Sequence, residues 1–201
     1  MASKYQKLLN KHVLVIGGTS GIGFGVAEAS LASGAQITVS SSNQSRVDAA
    51  VEKLKADFPD QKVAGYACDL SKPTVEQDLE ALFSKVGKVD HIVYSAGDKL
   101  AAAPIQEINY EKIVAAGQVR FIAALLAAKV GSKYLKPGPY SSITLTTGSE
   151  TKKKHLEGIA EQVPTGRVAQ PADVAEAYLF LMKDPSVTGT VVDSNSGALL
   201  I

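Results

Sequence analysis

The residues with the clearest chemistry are the glycines of Val13-Leu14-Val15-Ile16-Gly17-Gly18-Thr19-Ser20-Gly21-Ile22-Gly23. An apolar, β-branched run leads into Gly17, Gly21 and Gly23, and an alanine-rich helical pattern follows from Phe24 to Ser33. The order is strand, tight turn, helix. Gly17 lets the chain turn at the strand end, Gly21 lets backbone approach a phosphate, and Gly23 lets the helix sit close on the strand. The N–H groups of the helix's first turn then face an anion, here the pyrophosphate of a dinucleotide. Gly17, Thr19, Ser20, Gly21, Ile22 and Gly23 are therefore the candidate pyrophosphate site. An ordinary tight turn between strand and helix would carry the same bare glycine pattern. The flanking strand and helix, near the N-terminus, favour the binding reading.

The second candidate cluster is Ser40-Ser41-Ser42-Asn43-Gln44-Ser45-Arg46. Dinucleotide folds that bind NAD usually place a carboxylate at this point to hold the ribose hydroxyls. None is present. A carboxylate would repel a 2′-phosphate, whereas hydroxyls and a guanidinium bind one. Ser41, Ser42 and Arg46 therefore point to NADP(H). A polar loop with a helix N-cap at Ser42 or Ser45 would look the same, and both can hold together.

The elements that must position these residues alternate. Strands are expected at His12–Ile16, Gln36–Ser40, Lys62–Ala67, His91–Ser95, Ser142–Thr147 and Thr190–Asp193. Helices are expected at Ile22–Ser33 (closed by Gly34), Ser45–Asp57, Thr74–Val86, Tyr110–Lys136 and Pro171–Lys183. This is the pattern of an α/β fold, a doubly wound Rossmann-type parallel sheet, in one domain over residues 1–201. The chain has 201 residues, 45% hydrophobic and 20% charged, with 21 basic and 20 acidic side chains. That balance gives no reason to expect nucleic acid or an anionic membrane as partner. One cysteine, Cys68, excludes an internal disulfide framework and suggests a reducing compartment. The N-terminal stretch does not read as a signal peptide, and no apolar run is expected to span a bilayer. A cytoplasmic, small-molecule protein is the expectation. No His, Cys and acidic cluster has metal spacing, so no metal is expected.

The spacing Gly-x-x-x-Gly-Ile-Gly resembles the short-chain dehydrogenase/reductase family. The resemblance covers residues 10 to about 149, then resumes near Pro164 and runs to the end. Ile16 stands where the family usually has Thr. The resemblance implies that Asp69, with Leu70 beside it, meets the adenine; a helix-capping role for Asp69 is the alternative. It also implies that Ser95-Ala96-Gly97 takes the place of an Asn-Ala-Gly along the cofactor ribose, with the steadying Asn side chain lost. Oligomers are common in the family, so a homo-oligomer is a possible partner state.

Family members use a Tyr acid/base with a Lys four residues later, one helical turn away on the same face. They also use a Ser on the fifth strand and an Asn on the fourth helix. None of the seven tyrosines here is followed by Lys at that spacing. The Asn position falls at about Gly117, next to Gln118. The Ser position falls at about Gly148, leaving Thr147 and Ser149 as flanking catalytic candidates. The family's late Gly-Arg…Pro-x-Asp-Val-Ala segment is matched by Gly166-Arg167 and Pro171-Ala172-Asp173-Val174-Ala175. It follows the fifth strand too closely for the βαβ unit, catalytic helix included, that normally intervenes, so roughly fifty residues are missing by that comparison. With the chain contiguous, Pro171–Lys183 is expected as a crossover helix leading to Thr190–Asp193 as a sixth strand.

Arg120, mid-helix among apolar neighbours, is the remaining catalytic candidate. It could hold an anion or donate hydrogen bonds to a carbonyl; an exposed or interface arginine is the alternative. This pattern resembles atypical fungal members with a role in biosynthesis, some of which act on alkaloid iminium ions or catalyse cyclisation with NADP(H) bound. Three functions stay open: an NADP(H) oxidoreductase on a small organic substrate, a non-redox cyclase or isomerase on the same scaffold, or a catalytically dead cofactor-binding protein.

Overall fold

The computed structural model describes residues 3–98, 103–148 and 160–198. Five parallel strands form one sheet in the order β3-β2-β1-β4-β5. They are β1 (His12–Ile16), β2 (Gln36–Ser41), β3 (Val63–Ala67), β4 (His91–Tyr94) and β5 (Ser142–Leu145). The helices are α1 (Gly21–Ala32), α2 (Gln44–Asp57), α3 (Val75–Val86), α4 (Tyr110–Gly117), α5 (Ala123–Ser132) and α6 (Pro171–Lys183). A π-helical turn, Gln118–Ile122, joins α4 to α5 without a break.

The apolar runs of β1 and β4 are buried on both faces, which is why they read as continuous hydrophobic stretches rather than alternating ones. One core cluster joins Val13, Val15, Ile37 and Val39 to Val26 and Leu31 of α1, Leu54 of α2 and Ala175, Leu179 and Met182 of α6. The other joins Leu14, Ile16 and Ile92 to Leu79 and Phe83 of α3 and Ala127 and Val130 of α5. The sheet is thus covered on both sides, as a doubly wound fold requires. Strand order reverses between β1 and β4, and that switch point opens the crevice at the carboxyl ends of the strands.

The opposite ends of the strands are tied by a buried carboxylate. Asp90 accepts hydrogen bonds from Lys136 Nζ at 2.7 Å, the His12 N–H at 2.9 Å and Lys11 Nζ at 3.1 Å. Burial alone would raise its pKa, but these three donors outweigh it and hold the carboxyl below its usual range. Beside it His91 bonds to Ser142 Oγ at 2.9 Å, and burial pushes its pKa down to about 4. His12 likewise bonds to Thr38 Oγ1 at 2.8 Å. Both histidines are structural ties.

Several sequence expectations are corrected. Thr190–Asp193 is not a strand: its backbone joins no ladder, and Val191 is 74% exposed. Strand propensity needs a sheet edge to pair with. The chain leaves α6 from its packing against α1, where Gly25 is so close to Pro171 that a Cβ would lie 2.9 Å from the Pro171 carbonyl oxygen. Among the described residues the sheet therefore has five strands, with β5 at its edge. Asn43, not Ser42 or Ser45, caps α2, accepting from the Arg46 N–H at 3.1 Å. The long helix ends at Ser132 rather than Lys136. Tyr110–Ser132, at 23 residues and mean hydropathy 1.7, is long and apolar enough to cross a membrane. Its α5 half faces α3 and β4, which accounts for part of that apolar character.

Candidate functional site

Backbone hydrogen bonds lock the strand ends that form the crevice. The Gly17 N–H donates to the Ser40 carbonyl at 2.8 Å, the Ser95 N–H to Ile16 at 2.8 Å, and the Thr146 N–H to Tyr94 at 3.0 Å. At Gly17 the chain turns with φ +93°, and a Cβ there would lie 2.5 Å from the Ala96 nitrogen. Both conformation and space therefore require glycine. A Cβ on Gly23 would sit 2.3 Å from the Gly17 carbonyl oxygen, so the helix does ride directly on the turn. Ser95 Oγ, packed in the same place, donates to that carbonyl at 3.4 Å.

Gly21 differs. It has φ +55°, yet a Cβ built on it meets nothing within 4 Å. It faces an open cradle at the start of α1. The first-turn N–H groups have no acceptor inside the helix. Ser20, the N-cap, makes no side-chain cap bond, and no acidic residue lies in the first turn. Uncapped donors, a positive helix end and open space fit a pyrophosphate.

At the end of β2, Arg46 Nη2 donates to Ser42 Oγ at 2.8 Å, and Ser45 Oγ donates to Asn43 at 2.6 Å. Hydroxyls and a guanidinium are brought together at this strand end. At the end of β3, Asp69 accepts from Ser71 Oγ at 2.7 Å and from the Ser71 N–H at 3.1 Å. These bonds, the hydroxyl first, hold its carboxyl below the usual range. This is a local turn rather than a cap on α3, which begins at Val75. Leu70 is buried in the core beneath. A cavity of about 300 Å³ lined by Ser42, Cys68, Asp69, Lys72, Asp78 and Lys85 adjoins this corner. Burial pushes the Cys68 thiol up to about 11, which favours the protonated thiol at neutral pH.

On the other side of the crevice, Arg120 lies over Gly97: a Cβ there would be 3.1 Å from its guanidinium. Arg120 Nε donates to Asp98 Oδ1 at 3.1 Å, and Nη2 donates to the Asp98 carbonyl. The structure thus brings Arg120 to Gly97 and Asp98, at the mouth of the candidate cofactor groove. Thr147 is exposed, just past β5. Ser149, with Lys99 and the stretch 151–159, lies outside the described residues.

Four participants carried no decisive sequence signal. Asp98 holds Arg120. Gln118 Nε2 donates to the carbonyls of Leu70 and Lys72, each at 3.2 Å. Thr146 Oγ1 donates to the Tyr94 carbonyl at 2.7 Å and accepts from the Tyr178 hydroxyl at 2.6 Å. Tyr94 donates its hydroxyl to the Val119 carbonyl. Burial pushes the pKa of both tyrosines up, the opposite of what a Tyr acid/base needs. Only the match of Ser95-Ala96-Gly97 to a known pattern could have drawn attention to Tyr94 just before it.

Comparison with known proteins agrees with this geometry. Residues 4–160 match the family model of an SDR-like Rossmann domain, SDR standing for short-chain dehydrogenase/reductase. The short-chain dehydrogenase/reductase fsr5 of Gibberella fujikuroi is 33% identical over 255 residues, covering 96% of this chain and 96% of its own. The short-chain dehydrogenase/reductase ucsE of an Acremonium species is 42% identical over 256 residues, covering 96% and 97%. The MalC reductase/Diels-Alderase from Malbranchea aurantiaca has a similar structure, with TM-score 0.90 and 32% identity over 98% of this chain and 100% of that one.

Proposed function

This chain belongs to the short-chain dehydrogenase/reductase family, and we propose from that premise that it binds NADP(H) and acts as an oxidoreductase on a small organic substrate. The observation that carries the reading is the open, uncapped cradle at Gly21, on a family fold that implies nicotinamide cofactor binding. Gly17, Thr19, Ser20, Gly21, Ile22 and Gly23 would hold the pyrophosphate. Ser41, Ser42 and Arg46 would hold the 2′-phosphate, Asp69 and Leu70 the adenine, and Ser95, Ala96 and Gly97 the ribose. When bound, the nicotinamide supplies or takes up a hydride.

The protein's own part at the reacting end is orientation and charge. Arg120 offers five N–H donors, of which Asp98 takes two; the rest suit a substrate carbonyl or carboxylate. Thr147 and Ser149 are the hydroxyl candidates on the β5 side. A substrate that is already cationic, such as an iminium ion, needs no proton from a tyrosine, which suits a chain without a Tyr–Lys pair at that spacing. A second reading, cyclisation without net redox, is favoured by likeness to a protein named as both reductase and Diels-Alderase. An arginine that polarises a carbonyl serves either reaction. The single buried cysteine fits a cytosolic setting.

The test is to bind NADPH, add a panel of cyclic iminium ions and ketones, and follow nicotinamide absorbance together with product. Loss of reduced nicotinamide in step with product supports the oxidoreductase. Product with unchanged absorbance supports the cyclase. Absence of nucleotide binding overturns both and leaves a protein without this cofactor.

A further inference from the structure

Arg120 sits in the π-helical turn, where the backbone ladder departs from the α pattern. In an α-helix the Ala123 N–H would bond to the Val119 carbonyl, four residues back. Here it bonds to the Gln118 carbonyl, five back. The Val119 carbonyl is released from its usual place in the ladder, and the Tyr94 hydroxyl donates to it from across the core. Tyr94 is the last residue of β4, 2% exposed, and belongs to the core cluster that also holds Leu14, Ile16, Leu79 and Val119. A phenol that deep must find an acceptor.

Three successive residues of this turn point into the protein. Gln118 reaches the loop after β3, Val119 is 8% exposed in the core, and Arg120 reaches Asp98. Three successive residues of an α-helix would fan over about 200°. The wider π turn narrows that fan, so that all three can face inward at once.

We propose that Tyr94 is a positioning residue: by engaging the Val119 carbonyl it holds the π turn open and so aims Arg120 over Gly97 onto Asp98. Its link to turnover rests on the reading of Arg120 given above; the geometry of Arg120 does not.

The test uses nuclear magnetic resonance on the protein and on Tyr94→Phe, which keeps the ring and removes the hydroxyl. In the unaltered protein the Tyr94 phenolic proton should exchange slowly and lie close to Val119. This measurement needs no variant, and a freely exchanging phenolic proton overturns the proposal. In Tyr94→Phe the Arg120 Nε–H, assigned through Arg120→Lys, should exchange about tenfold faster, as expected when a hydrogen bond of ordinary strength is lost. NADPH affinity should stay within about twofold, since the Gly21 cradle is untouched. Asp98→Ala, which removes the acceptor of the Arg120 Nε–H, should speed exchange of that proton while leaving the Tyr94 proton slow. A folded Tyr94→Phe with an unchanged Arg120 signal reduces Tyr94 to core packing. If Tyr94→Phe frees Arg120 but Arg120→Ala turns over normally, the positioning stands and the substrate role of Arg120 fails.

Discussion

Replacing Gly21 with alanine separates fold from function at one atom. The new methyl meets nothing within 4 Å in the protein alone, so no contact is broken. The cost to folding is conformational. An L-residue at φ +55° loses about 1–2 kcal/mol. A smaller unfolded ensemble returns about 0.4–1 kcal/mol. The net is about 1 kcal/mol, or a fall in Tm of about 2–4 °C for a chain of this size. Nucleotide binding should suffer far more, because the methyl occupies the space assigned to phosphate. Loss of one charge-assisted N–H bond, about 1.5–3 kcal/mol, weakens binding about 10- to 150-fold. Thermal melting gives the first quantity and titration with NADPH the second. Undiminished NADPH affinity in a folded Gly21→Ala refutes the cradle. Gly17→Ala makes the contrast: its methyl runs into Ala96 backbone, and it should fail at folding before binding can be measured.

Arg46→Ala should weaken NADPH about 10-fold or more while leaving NADH within about twofold, because only the former carries the 2′-phosphate; equal losses would sink the assignment. Asp90→Asn should cost about 2 kcal/mol near neutral pH, less than a fully buried pair because Lys11 and Lys136 are partly exposed and can be rehydrated. The folded-state pKa of Asp90 is depressed, so this contribution is complete above about pH 4 and is lost as pH falls through the folded value. The gap in melting temperature between the protein and the variant should close in that window. His91 is opposite in kind: buried and neutral, with its pKa lowered to about 4, it makes the protein lose about 3 kcal/mol between pH 6.5 and 4, because the unfolded chain takes up the proton first. His91→Gln should flatten that part of the stability profile. Phe121 and Leu125 are 64% and 52% exposed on the long helix, and Phe121→Glu with Leu125→Glu should shift light-scattering mass toward the monomer if a second copy covers them.

The sequence alone determined what depends on local order. The β-branched run before Gly17, the glycine spacing and the amphipathic stripe of Val47, Ala50 and Leu54 each commit their own backbone, and strand, turn and helix followed within a residue or two. The acid-free end of β2 was legible because it is a matter of residue type. Tertiary structure decided whatever needed a partner distant in the chain. Thr190–Asp193 has every local mark of a strand and is not one, because pairing is supplied by another element. Arg120 was visible as an arginine on an apolar helix. Where it points depends on Asp98 and, in the reading above, on the bond from Tyr94 to Val119, 25 residues apart, and no periodicity encodes a carbonyl released from a helix. Local chemistry is written in neighbouring residues; the direction of a side chain is set by the packing around it.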